Sequence, residues 1–262
     1  MVRSFIKNIL HASSGADGLF GRTTAYYETV ESQGHLTLHL HLLLWIASCL
    51  SLQEIRDQLL ADDVFCMQLI QWLESSHTGD FSIGSMDDIA DRIDCGEVVH
   101  SDTSREDNEP HVISPEYTLP ACDPTTCLPI LPPVFSNESA ASEWYSFFCT
   151  ETDNIVYSSN RHSPSHNKGC RHGRDGYCHA RFPQDTFSET VVDPEMGALQ
   201  FKKTEPWINT YNQVLSYVMH CNTDVTCLLS GTQVRTVIAY VTDYVMKYSL
   251  TTHTIFETVK SV

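Results

Sequence analysis

The chain has 262 residues, 42% apolar and 10% aromatic, enough for one large domain or two small ones with a real core. Its longest apolar run, Leu42 to Leu52, is broken by Ser48 and Ser51 and is too short to span a bilayer, and the N-terminus carries no secretory core of useful length. The net charge of −17 argues against a nucleic-acid binder, since phosphate contacts need Lys and Arg; ten Asp or Glu against two Arg between Gly79 and Pro110 supply −8 of it.

An intracellular reading follows, with the ten cysteines as reduced thiols or metal ligands rather than a disulfide frame. Residues 1–75 begin with a mixed segment from Phe5 to Val30 that holds a glycine-rich turn around Gly15, Gly18 and Gly21. Strands are expected at Ala25–Val30 and Leu36–Ile46, flanking Gln33–Gly34–His35 as an antiparallel hairpin. Ser51 and Glu54 have the spacing of a capping box, and apolar residues at Ile55, Leu59, Phe65, Leu69 and Trp72 place one or two helices over 52–74. Residues 76–140 combine the acidic run with a proline-rich patch, and a disordered insertion is expected there. In residues 141–262, structure resumes near Trp144 and a Cys/His-rich stretch runs from Cys149 to His179. A helix is expected at Trp207–Met219, a short strand at Val225–Leu229 and a last helix from Thr232 to Lys247.

Two patterns carry chemistry. His39–Leu40–His41 lies inside the second strand, so both imidazoles project from one face and make a half-site for a divalent cation, with Leu38, Leu40 and Leu42 turned to the core. A third ligand is expected from the neighbouring strand, Glu31 first and Gln33 next. The alternative is two surface histidines on an ordinary strand. Further on, Tyr240 and Tyr244 stand at i and i+4 of the last helix, about 6 Å apart on one face, with Lys247 one turn later. A tyrosine hydroxyl can attack a DNA phosphodiester and form a phosphotyrosine link. Its ordinary pKa of about 10 demands a cation to polarise the phosphate, and Lys247 can balance developing charge. The alternative is a pair of amphipathic core tyrosines.

The text around these patterns resembles a known family. "GLFGRTTAYYETVESQGHLTLHLHLLLW" (Gly18 to Trp45) is similar to the HUH segment of Helitron Rep domains of the fungal type, the helicase-like domain of these transposons. "WINTYNQVLSYVMHCNTDVTCLLSGTQVRTVIAYVTDYVMKYSL" (Trp207 to Leu250) is similar to their tyrosine segment, and "GCRHGRDGYCHARFP" (Gly169 to Pro183) to the Cys-rich stretch between the two. The matches keep the family's order and cover about two thirds of the chain. The resemblance implies an α+β fold, a Rep-like antiparallel sheet flanked by helices. It also implies rolling-circle nicking and joining of single-stranded DNA at transposon ends. His39 and His41 would hold Mg²⁺ or Mn²⁺, Tyr240 and Tyr244 would be the nucleophiles, Lys247 matches the lysine after the second tyrosine, and the location would be the nucleus. Glu28 stands where the family carries glycine, and His35–Leu36 where it carries Arg–Gly. No G-x-x-x-x-G-K-[ST] occurs, so the family's helicase is absent, and the chain starts too late for the upstream Rep strand; a truncated copy is the expectation.

Cys149, His162, His166, Cys170 and Cys178 offer enough soft ligands for one tetrahedral Zn²⁺, in a spacing that fits no standard finger; free thiols and loop histidines are the alternative. Arg171, Arg174 and Arg181 make this the most basic neighbourhood and the expected contact to the DNA backbone, against a solvated loop. Two further readings stay open: a zinc-stabilised nucleic-acid-binding module without chemistry, and an inactive transposon remnant.

Overall fold

In the computed structural model, the chain is described at residues 2–12, 14–32, 38–94, 124–135, 137–163, 178, 180–195, 197–240 and 242. Among these residues the fold is α+β, mainly helical, with two two-stranded antiparallel sheets. They fall into two compact units. Unit 1 comprises Met1–Cys66, Pro194–Ala198 and Leu228–Val262; unit 2 comprises Met67–Asp193 and Leu199–Cys227.

Unit 1 opens with helix α1 (Val2–Asn8), which buries Phe5 and Ile6. Leu10 follows, almost fully buried, and the Gly18 backbone comes so close to it that a Cβ at Gly18 would sit 2.1 Å from the Leu10 carbonyl oxygen. Strands β1 (Thr23–Ser32) and β2 (Leu38–Ile46) then form the expected hairpin, because β-branched and aromatic residues suit a pleated surface. The residues expected to turn it, Gln33–Gly34–His35, lie outside the described residues, as do Leu36 and Thr37, expected to open the second strand. Leu40 and Leu42, expected to face a core, are only half-buried. Helix α2 (Leu52–Ala61) begins at the expected capping box: the Glu54 amide donates to Ser51 Oγ at 3.3 Å, and the Ser51 amide donates to Glu54 Oε2 at 2.8 Å. Helix α3 (Asp63–Ser76) follows at once and leads into unit 2.

Unit 2 is organised by the 22-residue helix α5 (Glu138–Ser159), which starts earlier than expected because Asn137 caps it, accepting from the Ala140 amide. Its buried face packs Phe147, Phe148 and Cys149 with Tyr217, and Val156 with Ile208 and Tyr211. Helix α4 (Met86–Asp94) falls inside the stretch that composition marked as an insertion, and its Ile89 is fully buried. The reason is long-range: buried Asp153 accepts from the Ser82 and Ile83 amides at 2.8 and 2.7 Å, tying that stretch to α5. Residues 95–123, the rest of the acidic run, lie outside the described residues.

Two expectations in unit 2 are corrected. Residues 207–212 are irregular, because Ile208 and Tyr211 bridge to Arg161 and Thr78 before Asn212 caps the short helix α6 (Gln213–Met219). Residues 225–229 are not a strand; Val225 is fixed to Thr210 by one backbone bond and one hydroxyl bond, with no ladder beyond. A two-residue ribbon, β3 (Val191–Val192) with β4 (Leu199–Gln200), completes the sheets.

Candidate active site

The register of β1 and β2 places Glu31 directly across from His39 and Thr29 across from His41. Alternation along β2 puts both imidazoles on one face. Their ring centroids are 4.6 Å apart and tilted by 58°. Two side-by-side imidazoles are two of the donors that a small divalent cation takes from a protein. The residue across from His39 is the one the sequence puts first as a third ligand. Among the described residues, no three His, Cys, Asp or Glu side chains converge as a complete metal cage.

Tyr240 reaches the same place from the far end of the sequence. The helix over 231–240 starts at a second reciprocal box: the Gln233 amide donates to Ser230 Oγ at 3.2 Å, and the Ser230 amide donates to Gln233 Oε1 at 3.1 Å. The S-x-x-Q pattern at 230–233 carries that signal in the sequence, and it starts the helix one residue before the expected Thr232. Starting there, the helix carries Tyr240 onto the histidine pair, with its ring 5.3 Å from that of His41, edge to face at 73°. Tyr240 keeps 47% of its surface exposed, so the phenol remains accessible. All three side chains belong to unit 1. Tyr244, Lys247 and Gln33 lie outside the described residues.

Charge is divided unequally. Unit 1 holds seven Lys and Arg against ten Asp and Glu, a net −3; unit 2 holds nine against 23, a net −14. The acidity that argues against a nucleic-acid partner therefore belongs mostly to unit 2, while the histidine–tyrosine group belongs to unit 1.

The Cys/His candidates separate. His162 and Cys178 come together, Nε2 to Sγ, at 3.4 Å. The His162 ring stacks on Phe182 at 4.5 Å, and its amide donates to the Trp207 carbonyl at 2.7 Å. Cys149 belongs instead to the core of α5, where burial raises its thiol pKa. It lies ten residues before the end of α5, about 15 Å along the helix axis. His166, Cys170, Arg171 and Arg174 lie outside the described residues. Arg181 is exposed, with a left-handed backbone at φ 61°. Arg161, which precedes His162 in the chain, is an exposed cation outside the expected basic cluster, and its guanidinium lies 4.1 Å over the Tyr157 ring. A second thiol–imidazole neighbourhood brings Cys227 Sγ to His77 Nδ1 at 3.9 Å, with His77 stacked on Phe201 at 4.2 Å. Burial lowers the His77 pKa to about 4, leaving the ring neutral. No local spacing announces a pair 150 residues apart.

No family model, no curated protein and no solved structure matches this chain. No helix among the described residues is long and apolar enough to cross a membrane.

Proposed function

We propose that this chain is the Rep-like endonuclease part of a Helitron-type transposase, which nicks and rejoins single-stranded DNA through tyrosine. The observation that carries the reading is the meeting of His39, His41 and Tyr240 within one unit, from segments 200 residues apart. Two weak patterns that would each be ordinary alone occupy one place. In this reading His39 and His41 hold Mg²⁺ or Mn²⁺, with Glu31, at the register position opposite His39, as the next donor. The cation, when bound, supplies charge to polarise the scissile phosphate. Tyr240 provides the nucleophile: its oxygen bonds to phosphorus, the bond from phosphorus to the 3′ oxygen breaks, and that oxygen leaves as a hydroxyl after gaining a proton. Rejoining reverses this, with an incoming 3′ hydroxyl displacing the tyrosine oxygen. Tyr244 would serve the second strand and Lys247 the charge on the phosphate. The site of action would be the nucleus.

A covalent-adduct assay tests this directly. The protein is mixed with single-stranded oligonucleotides and Mn²⁺ and run on a denaturing gel beside Tyr240→Phe and Tyr244→Phe variants. A retarded band that needs the metal and vanishes in the double variant is expected. A cooperatively melting protein that forms no such band contradicts the reading and marks an inactive remnant.

The His162–Cys178 contact favours a second reading, a zinc-stabilised nucleic-acid-binding module in which Arg181 contacts the DNA backbone. His166, Cys170, Arg171 and Arg174 would join these residues. Metal analysis of the purified protein tests it: one equivalent of zinc is expected, and none contradicts it.

A further inference from the structure

The face of the hairpin that carries His39 and His41 continues past them. Cross-strand partners share a face, and the register pairs Thr29 with His41, Tyr27 with Leu43 and Ala25 with Trp45. Moving along β2 from His41 away from the turn, the same face therefore presents Leu43 and Trp45, with Tyr27 alongside. Both aromatic rings stand in solvent: Tyr27 is 40% exposed and Trp45 52%. They are diagonal neighbours across the ladder, about 7–8 Å apart. Trp45 lies four residues from His41, about 14 Å along the strand, roughly the length of four stacked nucleotides. Between His41 and Trp45 the face carries Ala25, Tyr27, Thr29 and Leu43, and no charged residue.

We propose that Tyr27 and Trp45 form a stacking ledge for the bases of a single-stranded nucleic acid whose phosphate backbone is engaged at His39, His41 and Tyr240. This inference rests on the tyrosine-nuclease reading, because a polymer cut at Tyr240 must leave the site along some surface, and this face is continuous with it. Exposed aromatic rings bind every base through its π face, so such a ledge is tolerant of sequence. The absence of charge on it assigns the contact to bases rather than to phosphates. It also explains how a hairpin in a slightly acidic unit holds a polyanion: the stacking contribution does not depend on counterion release.

The test uses the full chain in EDTA, so that cleavage cannot occur, with fluorescein-labelled dT12 as the probe and polarisation as the readout. The Tyr27→Ala/Trp45→Ala variant is expected to bind about 10- to 100-fold more weakly, with the slope of affinity against salt unchanged. Trp45→Phe, which keeps a ring, is expected to bind within about threefold of the parent. The parent's tryptophan emission falls on binding by an amount that Trp45→Phe loses. A cooperatively melting double alanine variant that binds like the parent overturns the ledge, as does a parent that binds no dT12. So does a parent dimer that the double variant disperses, since the face would then be covered by a second copy. The two ideas fail separately. A metal-dependent adduct without ledge-dependent binding removes the ledge and leaves the nuclease. Ledge-dependent binding without any adduct removes the nuclease and leaves the ledge.

Discussion

Unit 1 and unit 2 differ in what they bury rather than in what they expose. Among the described residues, Tyr26, Tyr27, Trp45 and Ile238 of unit 1 stand in solvent, and so do Leu128, Leu131, Val134 and Tyr145 of unit 2, while unit 1 buries Phe5, Ile6, Leu10 and Leu59. Unit 2 buries Leu73, Ile89, Ile155, Val156, Ile208, Tyr211 and the Phe147–Phe148–Tyr217 group. It also places ionisable groups inside that core. Glu151, 2% exposed, has its pKa raised to about 7 by burial, and Lys203 has its pKa lowered to about 8 by burial while donating to Gln184 and to the Ile208 carbonyl. Among the described residues, the unit that brings together the candidate chemistry is the one with fewer buried apolar residues, and the more acidic unit holds none of the histidine–tyrosine group.

The largest effect that would sharpen this contrast is in the unit 2 core. Ile155→Ala is expected to cost about 3–4 kcal/mol in urea unfolding, because a fully buried side chain leaves a cavity among rigid neighbours. A loss below about 1 kcal/mol would mean that the core around α5 is loose. In unit 1, Gly18→Ala is expected to cost about 2–3 kcal/mol, since the new Cβ would collide with the Leu10 backbone. Its signature is local: amide exchange should rise in α1 and the hairpin and stay unchanged in α5.

The next effect is pH dependence, read as the midpoint of urea unfolding between pH 4 and 8. Glu151 binds its proton more tightly folded than unfolded, so its stabilising contribution is complete below pH 4.5 and is lost as pH rises to about 7. Glu151→Gln should remove a decline of about 1–3 kcal/mol across that window. His77 acts oppositely. With its folded pKa lowered to about 4, stability falls as pH drops from 6.5 to 4, and His77→Phe should flatten that limb. Identical pH profiles in both variants and the parent would contradict the burial of these groups. The smallest effect concerns metal. Cys178→Ser should lower bound zinc and leave the hairpin's Mn²⁺-dependent activity within about twofold, because the two groups of residues lie in different units.

What the sequence made legible was local. The hairpin follows from its β-branched and aromatic residues, but its register was not legible: the expected Gln33–Gly34–His35 turn would set Glu31 across from Thr37, and the observed ladder sets it across from His39. The Ser51–Glu54 box is a four-residue pattern, visible without any tertiary knowledge. The matching pattern at Ser230 and Gln233 was equally available. Elements set by distant partners were not legible. Asp153 recruits residues 82 and 83 from within the acidic stretch, Asn160 exchanges bonds with Thr223, and Thr78 bridges to Tyr211. Each bond joins segments more than 60 residues apart, and acidic composition alone suggested disorder for one of them. In the candidate site, alternation gave the shared face of His39 and His41, while the approach of Tyr240 needed the fold. The division of the Cys/His candidates, with Cys149 in the core and His162 beside Cys178, also depended on packing that spacing does not encode.

The measurement that tests the central claim most directly is mass-spectrometric mapping of the nucleotide left on the protein after reaction with single-stranded DNA and Mn²⁺, followed by nuclease digestion. The account predicts a phosphodeoxynucleotide on Tyr240 or Tyr244, lost when His39 and His41 are replaced by alanine. A modified residue in unit 2, or a folded protein that carries no nucleotide at either tyrosine, would contradict it.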